Sequence, residues 1–473
     1  MKRTLHWATV ATIALSAASI PVASQTLRPD QVKFREIYKE LVETNTTLSS
    51  GSCTLAATRM AVRLKAAGYP DADLHSFVVP DHPKEGGLVA VLLGSDPNAK
   101  AILLLAHIDV VEARREDWTR DPFTLIEENG YFYGRGTADM KAQAATWVDT
   151  MIRFKQEGLK HRRTIKMALT CGEETSTVFN GASYLATKER QLIDAEFALT
   201  EGGGGILDES GKPIAMTIQV GEKFEQNYQL EVTNLGGHSA FPSRNNAIYH
   251  LAAGLVRIQA YDFPVQTSDV TLQFFAKTAP QIGGDLGAAM AGFAKNPQDS
   301  HAVTVLSDNP LYTGMIHTTC IPTMLSGGHA TNALPQRADA NISCRIFPRT
   351  TVEQVRDKLT ELVADPAIKI TLAGKRSDVL NAAPPLTPQI VKPAEEVAAK
   401  YWPGAPIVPR MSLGATDASF LTPVGIPTYG LSGMFTDPDG NGVHGLNERI
   451  RVSSVYKGRD FLYEVVKAYA NQE

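Results

Sequence analysis

The chain reads as an α/β protein in which a central, mostly parallel sheet carries helices on both faces and is interrupted by an inserted unit. Three observations point there. Short apolar runs at 88–93, 101–106 and 164–170 are bounded by Gly, Asp and Asn, the pattern of strands buried on both faces. They alternate with helical periodicities at 140–156 and 181–190, as parallel strands joined by crossover helices require. From about 223 to 378 the order of signals becomes β-α-β-β-α-β, a ferredoxin-like unit.

Taken in order, Lys2, Arg3 and His6 precede an apolar run over 7–20 that is shorter than the ~20 residues a membrane-spanning helix needs. Pro21 and small residues up to Ser24 follow, so 1–24 is expected to be a signal peptide and the mature chain periplasmic or secreted. Two amphipathic helices are expected at 32–42 and 55–67, the second closed by Gly68. After the alternating strands and helices comes a strand at 195–200. The insertion then supplies a strand at 228–233, a helix at 245–260, strands at 323–326 and 338–346, a helix at 351–363 and a strand at 368–372. Its segment 277–312, rich in Gly, Ala, Asn and Pro, reads as a long functional or mobile connection. The tail returns to the first pattern and ends in a helix at 455–469, so 25–222 and 379–473 are expected to form one domain split by 223–378.

The 473 residues exceed what one hydrophobic core usually organises. With 46 Lys and Arg against 50 Asp and Glu, no basic field exists to hold a phosphate backbone, and nucleic acid is excluded as a partner. The four cysteines lack CxxC spacing and form no zinc knuckle. Cys320 and Cys344 lie in neighbouring candidate strands and can pair, whereas Cys171 beside Gly172 reads as a small buried hydrophobe. Spacing alone leaves the pairing open.

Chemistry gathers at strand ends. The run 103–106 delivers His107 and Asp109, two residues apart on one face, a spacing that suits a ligating imidazole and the carboxylate that orients it. Alone, such a pair is more often structural. Asp139 lies in a Gly-Arg-Gly turn directly before a helix, where it can cap the helix or bridge two cations. Glu173 and Glu174 close another strand, either as a solvated acidic turn or as one ligand and one general base. Glu201 is followed by four glycines that read as a flexible loop with no packing role, and His444 sits between glycines near the C-terminal end. The mixed nitrogen and oxygen set without thiolates suits zinc, with cobalt or manganese as substitutes.

The order His107-x-Asp109, Gly-Arg-Gly-Thr-Ala-Asp139-Met-Lys, Glu173-Glu174, Glu201 and His444 resembles the co-catalytic zinc aminoacylase and carboxypeptidase family. That family includes acetylornithine deacetylase, succinyl-diaminopimelate desuccinylase, glutamate carboxypeptidase and carboxypeptidase S. Residues 118–123, Gly236-Gly237-His238-Ser239, 332–335, Arg345 and Gly414-Ala-Thr-Asp417 extend the likeness over nearly the whole mature chain. Residues 318–346 look most like the branch of carboxypeptidase S and secreted N-acyl amino acid hydrolases.

The resemblance implies a zinc-peptidase-like catalytic domain and an inserted lid and dimerisation domain. It implies two Zn2+ per subunit, bridged by Asp139, with His107 and Glu201 at one ion and Glu174 and His444 at the other. Glu173 is then the general base and Asp109 the partner of His107. His238 would reach across a homodimer to steady the oxyanion, and Asn332 and Arg345 would grip the substrate carboxylate. Glu201 stands where many members carry Asp. The expected activity is hydrolysis of a peptide or N-acyl amino acid bearing a free carboxylate. An aminopeptidase of the same family is the nearest alternative. A non-catalytic periplasmic metal or peptide binder is the other, and it has no need of Glu173 as a base.

Overall fold

The computed structural model describes residues 26–175, 178–208, 210–374 and 383–472. The expected signal peptide at 1–24 lies outside them, as does the second boundary of the insertion near 378. The larger sheet has ten strands, and its centre runs Ile165–Thr170, Ile102–His107, Phe197–Thr200, Thr428–Gly430, all parallel. An antiparallel pair, Leu74–Val79 with His82–Leu92, flanks it on one side. On the other, Pro213–Glu222 runs antiparallel to Thr428–Gly430 and Gly205–Leu207, while Ile407–Ser412 joins it in parallel.

Alternation within single strands explains the layers. Ile102, Leu104 and Ala106 enter a core with the helices Pro29–Glu43, Lys141–Gln156 and Val452–Ala470. Leu103 and Leu105 enter the opposite one with Ala182 and Leu185 of Gly181–Lys188. Successive side chains of a strand point to opposite faces, so a run apolar at every position needs helices on both.

The smaller sheet is antiparallel, ordered Thr319–Gly327, Arg337–Ile346, Phe224–Thr233, Ile368–Ala373, with Ala247–Gln259 and Val352–Val363 packed on one face. This is the ferredoxin-like order the signals predict. Segment 277–312 departs from expectation. It belongs to four helices, Asp269–Ile282, Gly284–Lys295, Ser300–Ser307 and Pro310–Ile316, which leave the smaller sheet and pack Phe274, Phe275, Phe293 and Met315 against Ala215 and Val408 of the larger one. Gly283 and Gly284 take positive φ between the first two, so the composition that reads as a loop instead breaks helices.

Among the described residues the chain passes between sheets at Lys223, across 260–268, and across 316–319, and these passages touch. Val265 bridges His317, Thr318 Oγ1 donates to Gln266 Oε1 at 2.8 Å, and the buried Lys223 ammonium donates to the His317 carbonyl.

Cys320 pairs with Cys344 across neighbouring strands, one of the options the sequence leaves open. Cys171 is not a free hydrophobe: it is disulfide-bonded to Cys53, the first residue of the helix Cys53–Ala66. The glycines after Glu201 also correct a reading. A Cβ on Gly203 would lie 2.1 Å from the Gly430 carbonyl oxygen and one on Gly205 2.1 Å from the Phe435 ring, so close packing requires these glycines.

Candidate active site

Three adjacent parallel strands end at the site, where an open α/β sheet presents its loops. His107 is the last residue of Ile102–His107, Glu173 and Glu174 follow Ile165–Thr170, and Glu201 follows Phe197–Thr200. Asp139 arrives from the turn before Lys141–Gln156 and His444 from the loop before Arg449–Arg451. Asp139 makes no capping bond to its helix. One carboxylate oxygen instead faces His107 Nε2 at 3.2 Å and the other His444 Nε2 at 3.1 Å. His107 Nε2 also lies 3.5 Å from Glu201, and His444 Nε2 2.9 Å from Glu174.

His107, Asp139 and Glu201 thus bring one donor atom each within 4.8 Å of one another, as do Asp139, Glu174 and His444, with Asp139 common to both groups. His107, Glu173 and Glu174 form a further such group. These residues can hold metal ions. A fourth group, Cys53, Asp109 and Cys171, offers no thiolate, because its sulfurs are joined.

The charges bear this out. Burial, reinforced by Glu201, pushes the Glu173 carboxyl up to about 10, and burial, reinforced by Asp139, pushes Glu201 to about 7. Burial also opposes ionisation of Asp139, but His107 and His444 outweigh it and hold that carboxyl well below its usual range. Hydrogen bonds to Asp139 and Glu174 raise His444 to about 10. Buried like charges of this kind fit cations.

Asp109 does more than neighbour His107. Its carboxylate stands 3.6 Å from His107 Nδ1, beyond hydrogen-bond distance, while the Asp109 carbonyl is at 3.2 Å. The carboxylate accepts instead from the backbone N–H of Glu174 at 3.0 Å and of Glu173 at 3.4 Å, and so shapes their turn.

Sequence reasoning passed over Glu448, four residues beyond His444. Buried, it accepts from the N–H groups of Gly136, Ala138 and Asp139 and from Arg135 Nη1 at 2.7 Å, and Arg135 is buried with it. It ties the His444 loop to the Asp139 turn. The signal was there in Arg135 and Glu448, each inside a motif already singled out for its neighbour. Asp417 is also buried and accepts from Thr170 Oγ1 at 3.1 Å and Asn180 Nδ2 at 2.7 Å behind the Glu173 turn.

His238, Asn332 and Arg345 lie elsewhere. Gly237–His238 pairs with Ala333–Leu334 in a two-stranded ribbon, and the Ser239 N–H donates to the Asn332 carbonyl. His238 and Asn332 are exposed, and His238 Nδ1 accepts from the Ala240 N–H. Arg345 pairs with Glu225 on the neighbouring strand at 3.1 Å. Among the described residues, the hydrogen bonds and ion pairs of these side chains stay within the smaller sheet and its ribbon.

Comparison with known proteins shows the family and the fold. The chain is 28% identical over 471 residues to the N-fatty-acyl-amino acid synthase/hydrolase PM20D1 of Homo sapiens, covering 95% of this chain and 90% of that one. It is 26% identical to carboxypeptidase S of Saccharomyces cerevisiae, over 61% of this chain and 52% of the relative. Among solved structures, the M20 family metallo-carboxypeptidase Sso-CP2 from Sulfolobus solfataricus superposes with a TM-score of 0.68 at 18% identity, covering 94% of this chain and 100% of that chain. The family model described as Peptidase family M20/M25/M40 matches residues 103–468, from the strand that carries His107 to the last helix, and the chain belongs to that family of hydrolases.

Proposed function

We propose that the chain is an exported dizinc amidohydrolase that cleaves the amide bond of a peptide or N-acyl amino acid carrying a free carboxylate. One observation carries the reading: the two oxygens of Asp139 face different imidazoles, His107 and His444. A carboxylate so placed is what two cations sharing a ligand need. The remaining donors divide to match, Glu201 with His107 and Glu174 with His444. Zinc suits the set, and cobalt or manganese would find the same donors. When bound, such ions would supply a Lewis acid for the scissile carbonyl and a more acidic water.

The chain's own part in the reaction falls first to Glu173. It takes the water's proton on its carboxylate and returns it to the leaving nitrogen. Burial and Glu201 hold it protonated in the bare protein, so positive charge among the donors is a precondition of its acting as a base. Asp109 fixes the Glu173 and Glu174 amides. Arg345 offers a planar fork that matches a substrate carboxylate, which must displace or share Glu225, and Asn332 assists. His238 steadies the oxyanion from a second subunit. The exposed edge strand Thr319–Gly327, with Ile321, Met324 and Leu325 open to solvent, supports a homodimer. Two disulfides support export, since they persist in oxidising compartments. Among the described residues, no helix is long and apolar enough to cross a membrane.

Product analysis on dipeptides, N-acyl amino acids and their amides, with and without a chelator, tests this. Cleavage of the free acids that the chelator abolishes is expected. Equal turnover of a free acid and its amide would move the reading to an aminopeptidase, and a metal-loaded protein without turnover would be a binder.

A further inference from the structure

The Cys53–Cys171 disulfide takes no part in the proposed reaction, yet it stands directly behind the site. Cys171 follows the last residue of Ile165–Thr170 and precedes Gly172, Glu173 and Glu174. Cys53 opens the helix Cys53–Ala66, whose side-chain cap is Ser52. The bond thus ties the turn bearing Glu173 and Glu174 to the start of that helix. Among the described residues, the turn is also held by the Asp109 carboxylate on two amides, by the Gly181 N–H on the Cys171 carbonyl at 2.7 Å, by Asn180 Nδ2 donating to the Gly172 carbonyl at 3.2 Å and by the Val178 N–H on the Thr175 carbonyl at 3.0 Å. Gly172 has a positive φ of 93°, and a Cβ there would meet the Phe179 carbonyl oxygen at 1.9 Å, so the backbone between the disulfide and Glu173 has one way to run.

Both cysteines are buried, at 1% and 4% exposed, yet they border an open pocket. A pocket of about 180 Å³ is lined by Cys53 and Cys171 themselves, by Asp109 and Thr175 on the side of the site, and by His82 and Lys84 towards the strand His82–Leu92. Cys320–Cys344 differs in position: it joins two strands already paired by hydrogen bonds, in the smaller sheet away from the acid cluster, although Cys320 is the more exposed cysteine.

We propose that Cys53–Cys171 is a thiol-modification site through which opening of the disulfide lowers turnover by releasing the Glu173–Glu174 turn. The reactant is a low-molecular-weight thiol. Its thiolate attacks one sulfur, forming a mixed disulfide and expelling the other cysteine as thiolate, which takes up a proton. A second thiol then attacks the mixed disulfide, leaving two reduced cysteines and one oxidised dimer of the reagent, so two electrons pass to the protein. The effect on turnover rests on the reading of Glu173 as the base.

The test uses the full-length enzyme loaded with zinc. Wild type is titrated with glutathione, and adducts are located by peptide mass mapping while turnover and bound zinc are followed. Adducts or free thiols at Cys53 and Cys171 should rise in step with loss of kcat, and oxidised glutathione should restore it. Cys53→Ser/Cys171→Ser should lose about tenfold or more in kcat per bound zinc, the range that loss of a positioning partner causes, at a temperature where circular dichroism shows it folded. Cys320→Ser/Cys344→Ser should keep wild-type kcat. Full turnover with Cys53 and Cys171 reduced would overturn the proposal, and the wild-type titration decides even if the double variant fails to fold. Glu173→Gln separates the two readings. If it stays active, the base assignment is wrong; if it is dead while the opened enzyme runs at full rate, only the brace is wrong.

Discussion

The loops at the end of the larger sheet and the ribbon on the smaller one treat their functional side chains in opposite ways. At the sheet end the turns that carry Asp139, Glu173 and Glu174 are fixed by groups that are themselves fixed. Glu448 gathers three amides and Arg135 around the Asp139 turn, Asp109 holds two amides of the Glu173 turn, and a disulfide backs it. On the ribbon, His238 and Asn332 stand in solvent, and Arg345 has one half-exposed ionic partner. Groups that would hold cations are preorganised, where a small displacement weakens every bond at once. Groups that would meet substrate are presented, free to adjust to what they find.

Changing the rigid pole should show the largest effects. Glu173→Gln removes the base and leaves the donors, so kcat should fall by ~10²- to 10⁴-fold while metal analysis finds the wild-type content. Retained turnover would break the comparison at its strongest point. Glu448→Gln keeps the shape but leaves Arg135 as a buried charge without a counter-charge, at a cost of about 3–5 kcal/mol. Urea denaturation should register that loss, and zinc affinity should drop about 10- to 100-fold as the Asp139 turn loosens.

The presented pole should yield less. Arg345→Lys keeps the charge and loses the fork, weakening kcat/KM on free-acid substrates by about 1–3 kcal/mol without altering denaturation midpoints. Amidated substrates should be poor for wild type and indifferent to the change.

A pH-dependent effect lies between the poles, at Lys223. Burial lowers its pKa from the usual lysine range to about 7, with Arg345 adding to the shift. Between pH 7 and the unfolded value of about 10.4, the unfolded chain binds one proton more than the native one, so Lys223 makes stability rise with pH across that window. Lys223→Met should be the more stable form near pH 7, and the gap between the two midpoints in urea should narrow towards pH 10.

Much of this was legible in the sequence, because strands apolar at every position, such as Ile102–His107, and amphipathic helices such as Val352–Val363 announce themselves locally. The candidate cation donors were legible as well, since His107, Glu173, Glu174 and Glu201 lie at strand ends and Asp139 just before a helix, while His444 is marked by its flanking glycines. What escaped depends on distant approach. Cys53 and Cys171 are 118 residues apart, and nothing local to either marks the other. The glycines after Glu201 looked mobile because a close backbone contact leaves no trace in a single segment. The helices within 269–316 were hidden by Pro280 and a glycine pair, although Phe274, Phe275 and Thr278 already followed helical spacing. Asp109 was given to His107 because spacing shows which residues are near in sequence, not which amides a carboxylate will meet.

The meeting of three chain passages at Lys223, Val265 and His317 has a mechanical consequence. Among the described residues these passages meet at one place, and the strand Phe224–Thr233 starts there. Its register puts Arg345 opposite Glu225, beside this junction, while Thr233 and Arg337 mark the tip from which the His238 ribbon continues. Ten residues of strand span about 30 Å, so a swing of about 10° carries the tip some ~5 Å and leaves Arg345 almost in place. Were the smaller sheet to turn about this junction, its travel would be unequal, short for the guanidinium and long for the imidazole.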